Sequence, residues 1–362
     1  MNVRSVVVMA GGTGGHVFPA LAVAHHLADQ GVRIHWLGTA AGIEAELVPA
    51  NGFPITYLDI RGVRGNGLKR LLQAPFKILL ATLAAVRVIR SVEADAVIGL
   101  GGYVTGPGGL AARIAGKPLF IHEQNAIAGL TNKLLARIAT RVLQAFPGAF
   151  PASPRVVTTG NPVRPAICDL PEPDSRYAAR TGPLRILVLG GSLGAAALNE
   201  RLPPAFGRLS AGERPLIRHQ TGKKQVDETR ANYTAAGVEA EVFPFIHDMA
   251  EAYGWADLVI CRAGALTVSE LAAAGVASVL VPFPFAVDDH QTANARYLSA
   301  ADAAVLCPQS EMTPDRLDSI LRDLWSRDTL AAMAIRARAL AKPEATAAVA
   351  GFCMLQSREG KA

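Results

Sequence analysis

Short apolar, β-branched runs recur along the chain, each followed by glycines or polar residues and then by apolar positions at helical spacing. Val6-Val7-Val8-Met9 leads into Gly11-Gly12-Thr13-Gly14-Gly15 and a helix predicted over 18–30. Ala20, Val23, Ala24 and Leu27 form its apolar stripe, and Gly31 is placed to end it. Half a chain length later the pattern starts again: Arg185-Ile186-Leu187-Val188-Leu189, then Gly190-Gly191-Ser192-Leu193-Gly194, then a helix from about Ala195. Further strands are predicted at 34–37, 55–58, 96–100, 119–122, 142–144 and 156–158. In the second half they fall at 216–219, 242–245, 258–261, 278–281 and 304–306. Short apolar strands alternating with helices predict parallel sheets covered on both faces. The expected fold class is α/β, with two doubly wound, Rossmann-like domains facing each other across a cleft.

Gly160-Asn161-Pro162-Val163-Arg164-Pro165 breaks the pattern and precedes an irregular stretch to Gly182. It predicts domains at 1–163 and 164–342. A C-terminal helix within 343–362, patterned at 344–356, is expected to pack back on the first. The 362 residues are enough for two cores.

Composition narrows the class. Half of the residues are hydrophobic and 18% charged, which excludes a disordered or fibrous chain. Cys168, Cys261, Cys307 and Cys353 show no C-x-x-C spacing, which argues against a disulfide scaffold or a cysteine zinc site and for a reducing compartment. The N-terminal pattern reads as a first strand, with no leader expected before it, and the most apolar long stretch, 71–89, carries Gln73, Pro75, Lys77 and Arg87, so no spanning helix is expected. The net charge of +6 divides into +8 over 1–163 and −2 over the remainder. Arg61, Arg64, Lys69, Arg70, Lys77, Arg87 and Arg90 share one window, which points that half toward something anionic. Leu72, Phe76, Leu79 and Leu83 recur there at helical spacing, with Pro75 able to start the helix. An exposed part of that stripe, flanked by Lys69, Arg70 and Lys77, would enter lipid while the cations meet anionic headgroups.

Four glycine loops follow strands: Gly11–Gly15, Gly99–Gly109, Gly190–Gly194 and Ala263-Gly264-Ala265. At strand carboxyl ends, glycine lets backbone amides approach an anion and the next helix adds its positive end. The first loop does not fit G-x-G-x-x-G, no acidic residue ends the second strand, and no Walker lysine occurs. Dinucleotide redox and P-loop chemistry are therefore disfavoured. Glu270, in the helix after Gly264, is placed to accept hydrogen bonds from paired ribose hydroxyls, although a carboxylate near a helix N-terminus is also favoured by the dipole alone. Asp288-Asp289-His290-Gln291 suits hydroxyl-rich ligands better than a metal. His16, directly after a glycine loop, is a candidate for proton transfer, and His122-Glu123-Gln124-Asn125 follows another strand.

Together Gly11–His16 (GGTGGH), Gly101–Gly109 (GGYVTGPGG), His122–Asn125 (HEQN), Gly160–Arg164 (GNPVR), Gly190–Ala195 (GGSLGA), Ala265–Glu270 (ALTVSE) and Asp289–Gln291 (DHQ) resemble the MurG family. These are the lipid-linked muramyl-pentapeptide N-acetylglucosaminyltransferases of bacterial wall synthesis, and the resemblance runs in order over nearly the whole chain. It implies a GT-B fold and an inverting transfer of N-acetylglucosamine from UDP-GlcNAc to the 4-hydroxyl of the muramyl sugar in undecaprenyl-diphospho-muramyl-pentapeptide. It also implies a peripheral place on the cytoplasmic face of the inner membrane, with anionic lipids as partners and room for other cell-wall or division proteins.

Carried over by position, UDP-GlcNAc would meet Arg164, Ser192, Ile246, Ala265, Leu266, Thr267, Val268, Ser269, Glu270 and Gln291, with Thr13, Gly14, Gly15 and Asn125 reaching in from the first domain. The acceptor diphosphate would meet Gly14, Gly102 and Tyr103. Leu193 and Ala263 stand where some relatives carry Gln and Ser. His16 is the candidate general base and Glu123 its rival. No tightly bound cofactor, no divalent cation and no nucleic acid is expected, since no Asp-x-Asp motif occurs and helix N-termini can stabilise the departing UDP. Two alternatives stay open: a related enzyme using another UDP-sugar or glycolipid acceptor, and a non-catalytic nucleotide-binding protein at the membrane.

Overall fold

A computed structural model of the chain describes residues 3–60, 67–191 and 194–355, and of 67–73, Val287 and Leu355 the backbone alone. The chain divides into two compact units, Met1–Arg164 with Lys342–Ala362 and Pro165–Ala341. In the first, the elements run β1 (Ser5–Met9), α1 (Gly14–Asp29), β2 (Arg33–Gly38), α2 (Glu44–Ala50), β3 (Ile55–Tyr57), α3 (Gly67–Ser91), β4 (Ala96–Gly99), α4 (Thr105–Ile114), β5 (Leu119–Glu123), α5 (Leu130–Leu135), β6 (Arg141–Gln144) and β7 (Val156–Thr158). The strands form one sheet ordered β3-β2-β1-β4-β5-β6-β7, and every pairing is parallel. Because side chains alternate along a strand, β1 feeds both faces. Val6 and Val8 join Leu27, Trp36 and Phe120 on the α1 face, while Val7 and Met9 join Leu37, Ile89 and Ile121 on the other.

The second unit opens with α6 (Pro165–Cys168) and α7 (Pro173–Ala178). It continues β8 (Arg185–Leu189), α8 (Ala196–Gly207), β9 (Leu216–Gln220), α9 (Val226–Ala235), β10 (Glu241–Phe243), α10 (Met249–Trp255), β11 (Leu258–Cys261), α11 (Ala265–Ala274), β12 (Ala277–Leu280), α12 (His290–Ser299), β13 (Ala304–Leu306), α13 (Pro314–Asp323) and α14 (Arg327–Ala339). Its sheet is ordered β10-β9-β8-β11-β12-β13, again wholly parallel. The last helix, α15 (Ala345–Leu355), returns to the first unit and buries Val349, Ala350 and Cys353 against α1. Both sheets reverse direction of winding once, between β1 and β4 and between β8 and β11. In such sheets ligands bind at the strand carboxyl ends beside that switch point.

Three sequence expectations are corrected. The first helix begins at Gly14 rather than Phe18, so Gly14 and Gly15 are its first turn and not a loop before it. Pro75 does not start α3, which begins at Gly67 and runs through it. The stretch before Gly182 is not irregular throughout: Pro165 and Pro173 each occupy the first helical position, where a missing amide costs nothing. Arg180, after α7, pairs with the fully buried Asp257 and fastens this stretch to the start of β11.

Candidate functional site

Each unit presents a cluster at its switch point. In the first, the chain leaves β1 through Gly11 and a left-handed Gly12 (φ +94°) and enters α1 after Thr13. The carbonyl of Thr13 accepts from the amides of His16 and Val17, leaving the Gly14 and Gly15 amides in the turn where a helix attracts anions. The loop after β4 packs against this one with no room for side chains. A Cβ at Gly101 would overlap the His16 ring, and one at Gly102 would overlap the Gly11 carbonyl. Thr105 Oγ1 donates to the Gly101 carbonyl (2.9 Å) and holds the turn, while Tyr103 beside it is exposed. The structure thus brings Thr13, Gly14, Gly15, His16, Gly102 and Tyr103 together.

The loop after β5 adjoins them, since Gln124 Nε2 donates to the Leu100 carbonyl. Glu123 is buried with both carboxylate oxygens engaged. Oε1 accepts from the Asn125 amide (3.0 Å) and Nδ2 (3.2 Å), and Oε2 accepts from the Gly129 amide (3.0 Å) and Asn132 Nδ2 (2.9 Å). His122 is fully buried and donates from Nε2 to the Gly160 carbonyl (2.9 Å). Burial pushes its pKa down, against the raising effects of that bond and of Glu123. Asn161 Nδ2 donates to the Gln124 carbonyl, so the GNPVR segment is pinned to HEQN, and Arg164 ends the unit's first stretch.

In the second unit the loop after β8 keeps Gly191 and Gly194 left-handed, and a Cβ at Gly194 would overlap the Thr221 carbonyl. Ser192 and Leu193 lie outside the described residues. Beside this loop, His219 is enclosed by Asn199 Oδ1 (3.0 Å from Nε2) and the Tyr233 hydroxyl (2.9 Å from Nδ1), and burial pushes its pKa down to about 3. Gln220 Oε1 accepts from the Ile246 amide (2.9 Å) and fixes the loop after β10.

After β11, Gly264 caps α11 in an extended conformation, and Gly275 ends the helix left-handed. Ala265, Val268 and Glu270 are buried, whereas Leu266, Thr267 and Ser269 are half-buried; Ser269 Oγ donates back to the Ala265 carbonyl. The Tyr253 hydroxyl on α10 donates to Glu270 Oε2 (3.1 Å). Arg262 ties this loop to the one after β12. Its Nη1 donates to the Val281 and Pro282 carbonyls and its Nη2 to Gln309 Oε1, with the guanidinium over Phe283. Gln291 Oε1 accepts from the Phe283 amide (2.9 Å), and Asp288 and Asp289 both sit left-handed (φ 54° and 51°). Ile246, the 265–270 segment and Gln291 therefore all lie beyond strand carboxyl ends of one sheet.

On the first unit, Phe76 (64% exposed), Leu79 (54%), Leu80 and Leu83 stand out from α3. Leu110 and Ile114 on α4 and Leu130 and Leu134 on α5 extend the apolar surface across helices that pack side by side. Lys77 is exposed among them, while Lys69, Arg70 and Leu72 have side chains outside the described residues. At the amino ends of β5, β6 and β7, Arg113, Lys117, Arg137 and Arg155 line a cavity of about 460 Å³. Among the described residues no helix is long and apolar enough to cross a membrane. Sequence reading missed Leu110, Ile114, Leu130 and Leu134, whose helices are short, and missed Glu44, Gln220 and Tyr253, whose partners are remote in sequence.

Comparison with known proteins gives two family matches. The glycosyltransferase family 28 N-terminal domain matches residues 6–144, and the family's C-terminal domain matches residues 185–349. The chain is 55% identical over 353 residues, covering 98% of both chains, to the UDP-N-acetylglucosamine–N-acetylmuramyl-(pentapeptide) pyrophosphoryl-undecaprenol N-acetylglucosamine transferase of Cupriavidus metallidurans. It is 57% identical over 349 residues, 95% of each chain, to the protein of that name from Acinetobacter baylyi. Among solved structures, the crystal structure of Acinetobacter baumannii MurG superposes with a TM-score of 0.85 at 51% identity, covering 97% of this chain and 99% of that one.

Proposed function

The chain belongs to glycosyltransferase family 28 and, within it, to the MurG family, and from that premise we propose how its residues divide the work. It is a UDP-GlcNAc-dependent glycosyltransferase with a GT-B fold, and it carries N-acetylglucosamine to the lipid-linked muramyl-pentapeptide. The observation that carries the residue assignments is the coincidence of glycine loops with helix N-termini at the switch point of both sheets.

In this reading the second unit holds the donor. Glu270, oriented by Tyr253, accepts from the ribose hydroxyls. The Ile246 loop, fixed by Gln220, adds to the donor contacts, and Gln291 meets the sugar hydroxyls. The amides opening α11 and those of the 190–194 loop face the diphosphate. As the bond from the anomeric carbon to the diphosphate oxygen breaks, these amides stabilise the charge gathering on UDP without a bound cation.

The first unit handles the acceptor. Gly14, Gly102 and Tyr103 meet its diphosphate, and His16 takes the proton from the 4-hydroxyl as that oxygen bonds the anomeric carbon with inversion. His16 is preferred over Glu123 as base because both oxygens of Glu123 already accept two hydrogen bonds each in a buried setting. The apolar surface of α3, α4 and α5, with its cations, docks the protein on anionic lipid at the cytoplasmic face, where the acceptor's diphosphate lies.

The test is transfer of labelled sugar from UDP-GlcNAc, UDP-GalNAc and UDP-Glc to the lipid-linked acceptor, with His16→Ala beside the parent. Preference for UDP-GlcNAc and a kcat loss of about 10²–10⁴ in the variant, with UDP affinity kept, are expected. A variant that retains most of its turnover refutes the base assignment, and preference for another donor refutes the substrate.

A further inference from the structure

Glu44, at the first position of α2, has no exposed surface, yet its carboxylate lies among backbone rather than cations. Oε2 accepts from the Gly12 amide (2.9 Å), and Oε1 accepts from the Thr39 amide (2.9 Å) and hydroxyl (2.7 Å). Among the described residues no Lys, Arg or His pairs with it. Burial alone would raise its pKa, but the bonds from Thr39 and Gly12 outweigh burial and hold the carboxyl below its usual range, so it is charged at neutral pH. Its surroundings are shaped to admit it. A Cβ at Gly11 or Gly42 would overlap the carboxylate, and one at Gly38 would press on Glu44 Cγ at 2.8 Å.

A buried anion beneath a loop that is itself suited to anions calls for a reason. Without a partner, a desolvated charge is costly, and here the partners belong to two loops that must stay together. The Gly12 amide, bonded to Glu44, is removed from the set available to a ligand. What remains on that loop are the amides at the start of α1, and two residues beyond Gly14 comes His16, whose ring lies on Gly101.

We propose that Glu44 is a positioning residue for the acceptor half of the reaction, holding Gly12 from within the fold so that the Gly14 and Gly15 amides and His16 take their working directions. This rests on the reading of the first unit as the acceptor-binding, proton-accepting half. Glu44 touches neither substrate nor reacting atoms in this role.

The test is Glu44→Gln, which keeps the volume but cannot satisfy the Gly12 amide and both Thr39 donors at once. With a short-chain lipid-linked acceptor, kcat/KM for the acceptor should fall roughly 10- to 100-fold. UDP affinity by calorimetry should stay within about twofold, since a charge-assisted bond is lost only in the first unit. The acidic limb of the kcat profile should survive, because the base itself is intact. Unchanged acceptor kinetics, a parallel loss of UDP affinity, or loss of the acidic limb would each overturn the proposal. If Glu44→Gln does not fold, Thr39→Val serves instead: a smaller loss of the same kind supports the proposal and unchanged acceptor kinetics overturn it. His16→Ala is measured alongside. An active His16→Ala enzyme sinks the reading of the first unit, whereas an inactive one beside a fully active Glu44→Gln sinks only the role of Glu44.

Discussion

Replacing Phe76 and Leu79 together by serine tests the membrane surface where it protrudes most. Complete burial of a Phe or Leu side chain is worth about 1.5–3 kcal/mol. Phe76 is 64% and Leu79 54% exposed, so only that share remains to be gained from lipid. Together the two contribute about 2–3.5 kcal/mol, or roughly 30- to 300-fold in partition between buffer and vesicle. The assay is co-sedimentation with anionic vesicles, with circular dichroism to confirm that the variant is folded. The cations nearby add attraction of about 1 kcal/mol each close to the headgroups. Raising the salt from about 0.1 to 1 M, which shortens the screening length from roughly 10 to 3 Å, should therefore release the parent as well. A folded double variant that sediments like the parent places the contact elsewhere, and salt-insensitive binding refutes the part assigned to the cations.

Two further outcomes follow from other sites. Glu270→Ala should lose about 10- to 100-fold in UDP affinity by calorimetry, because a carboxylate accepting from ribose hydroxyls makes charge-assisted bonds; unchanged affinity refutes the ribose role. His219, near 6.5 in an unfolded chain and about 3 here, refuses a proton that the unfolded state accepts. Its contribution to stability is full above about pH 6.5 and drains as pH falls toward 3, by on the order of 4 kcal/mol, so His219→Gln should unfold in urea with a flatter pH slope than the parent; parallel slopes refute this.

The strands were legible because each is a short apolar run closed by glycine or a polar residue, and β7, β8, β11 and β13 begin and end where the pattern places them. The start of α1 was hidden because glycines read as loop although Gly14 and Gly15 form its first turn. Two short helices were hidden because Pro165 reads as part of a break and the stretch after it as irregular, whereas Pro165 and Pro173 each open a helical turn. The same contrast holds for the site. Glu270 and Gln291 stand beside the loops they serve, so the local pattern exposes them. Glu44 is 32 residues from Gly12, Gln220 is 26 from Ile246 and Tyr253 is 17 from Glu270. Each acts on a partner that only the order of strands in the sheet brings near, and no local pattern encodes that order.

The return of α15 to the first unit bears on how a ribosome delivers this protein. Val349, Ala350 and Cys353 fill a core whose other members are translated before the second unit. Synthesis from Arg164 to Ala345, at about 5–20 residues per second, takes roughly 10–40 s. Throughout that interval the earlier half waits with an apolar groove open along α1, while the later half can already close around its own sheet. A nascent chain that stalls anywhere in the later half leaves the groove uncovered, which is the kind of surface chaperones and proteases engage. The first unit is thus sealed only after the whole of the second has been made, by a helix that lies beyond it in the chain.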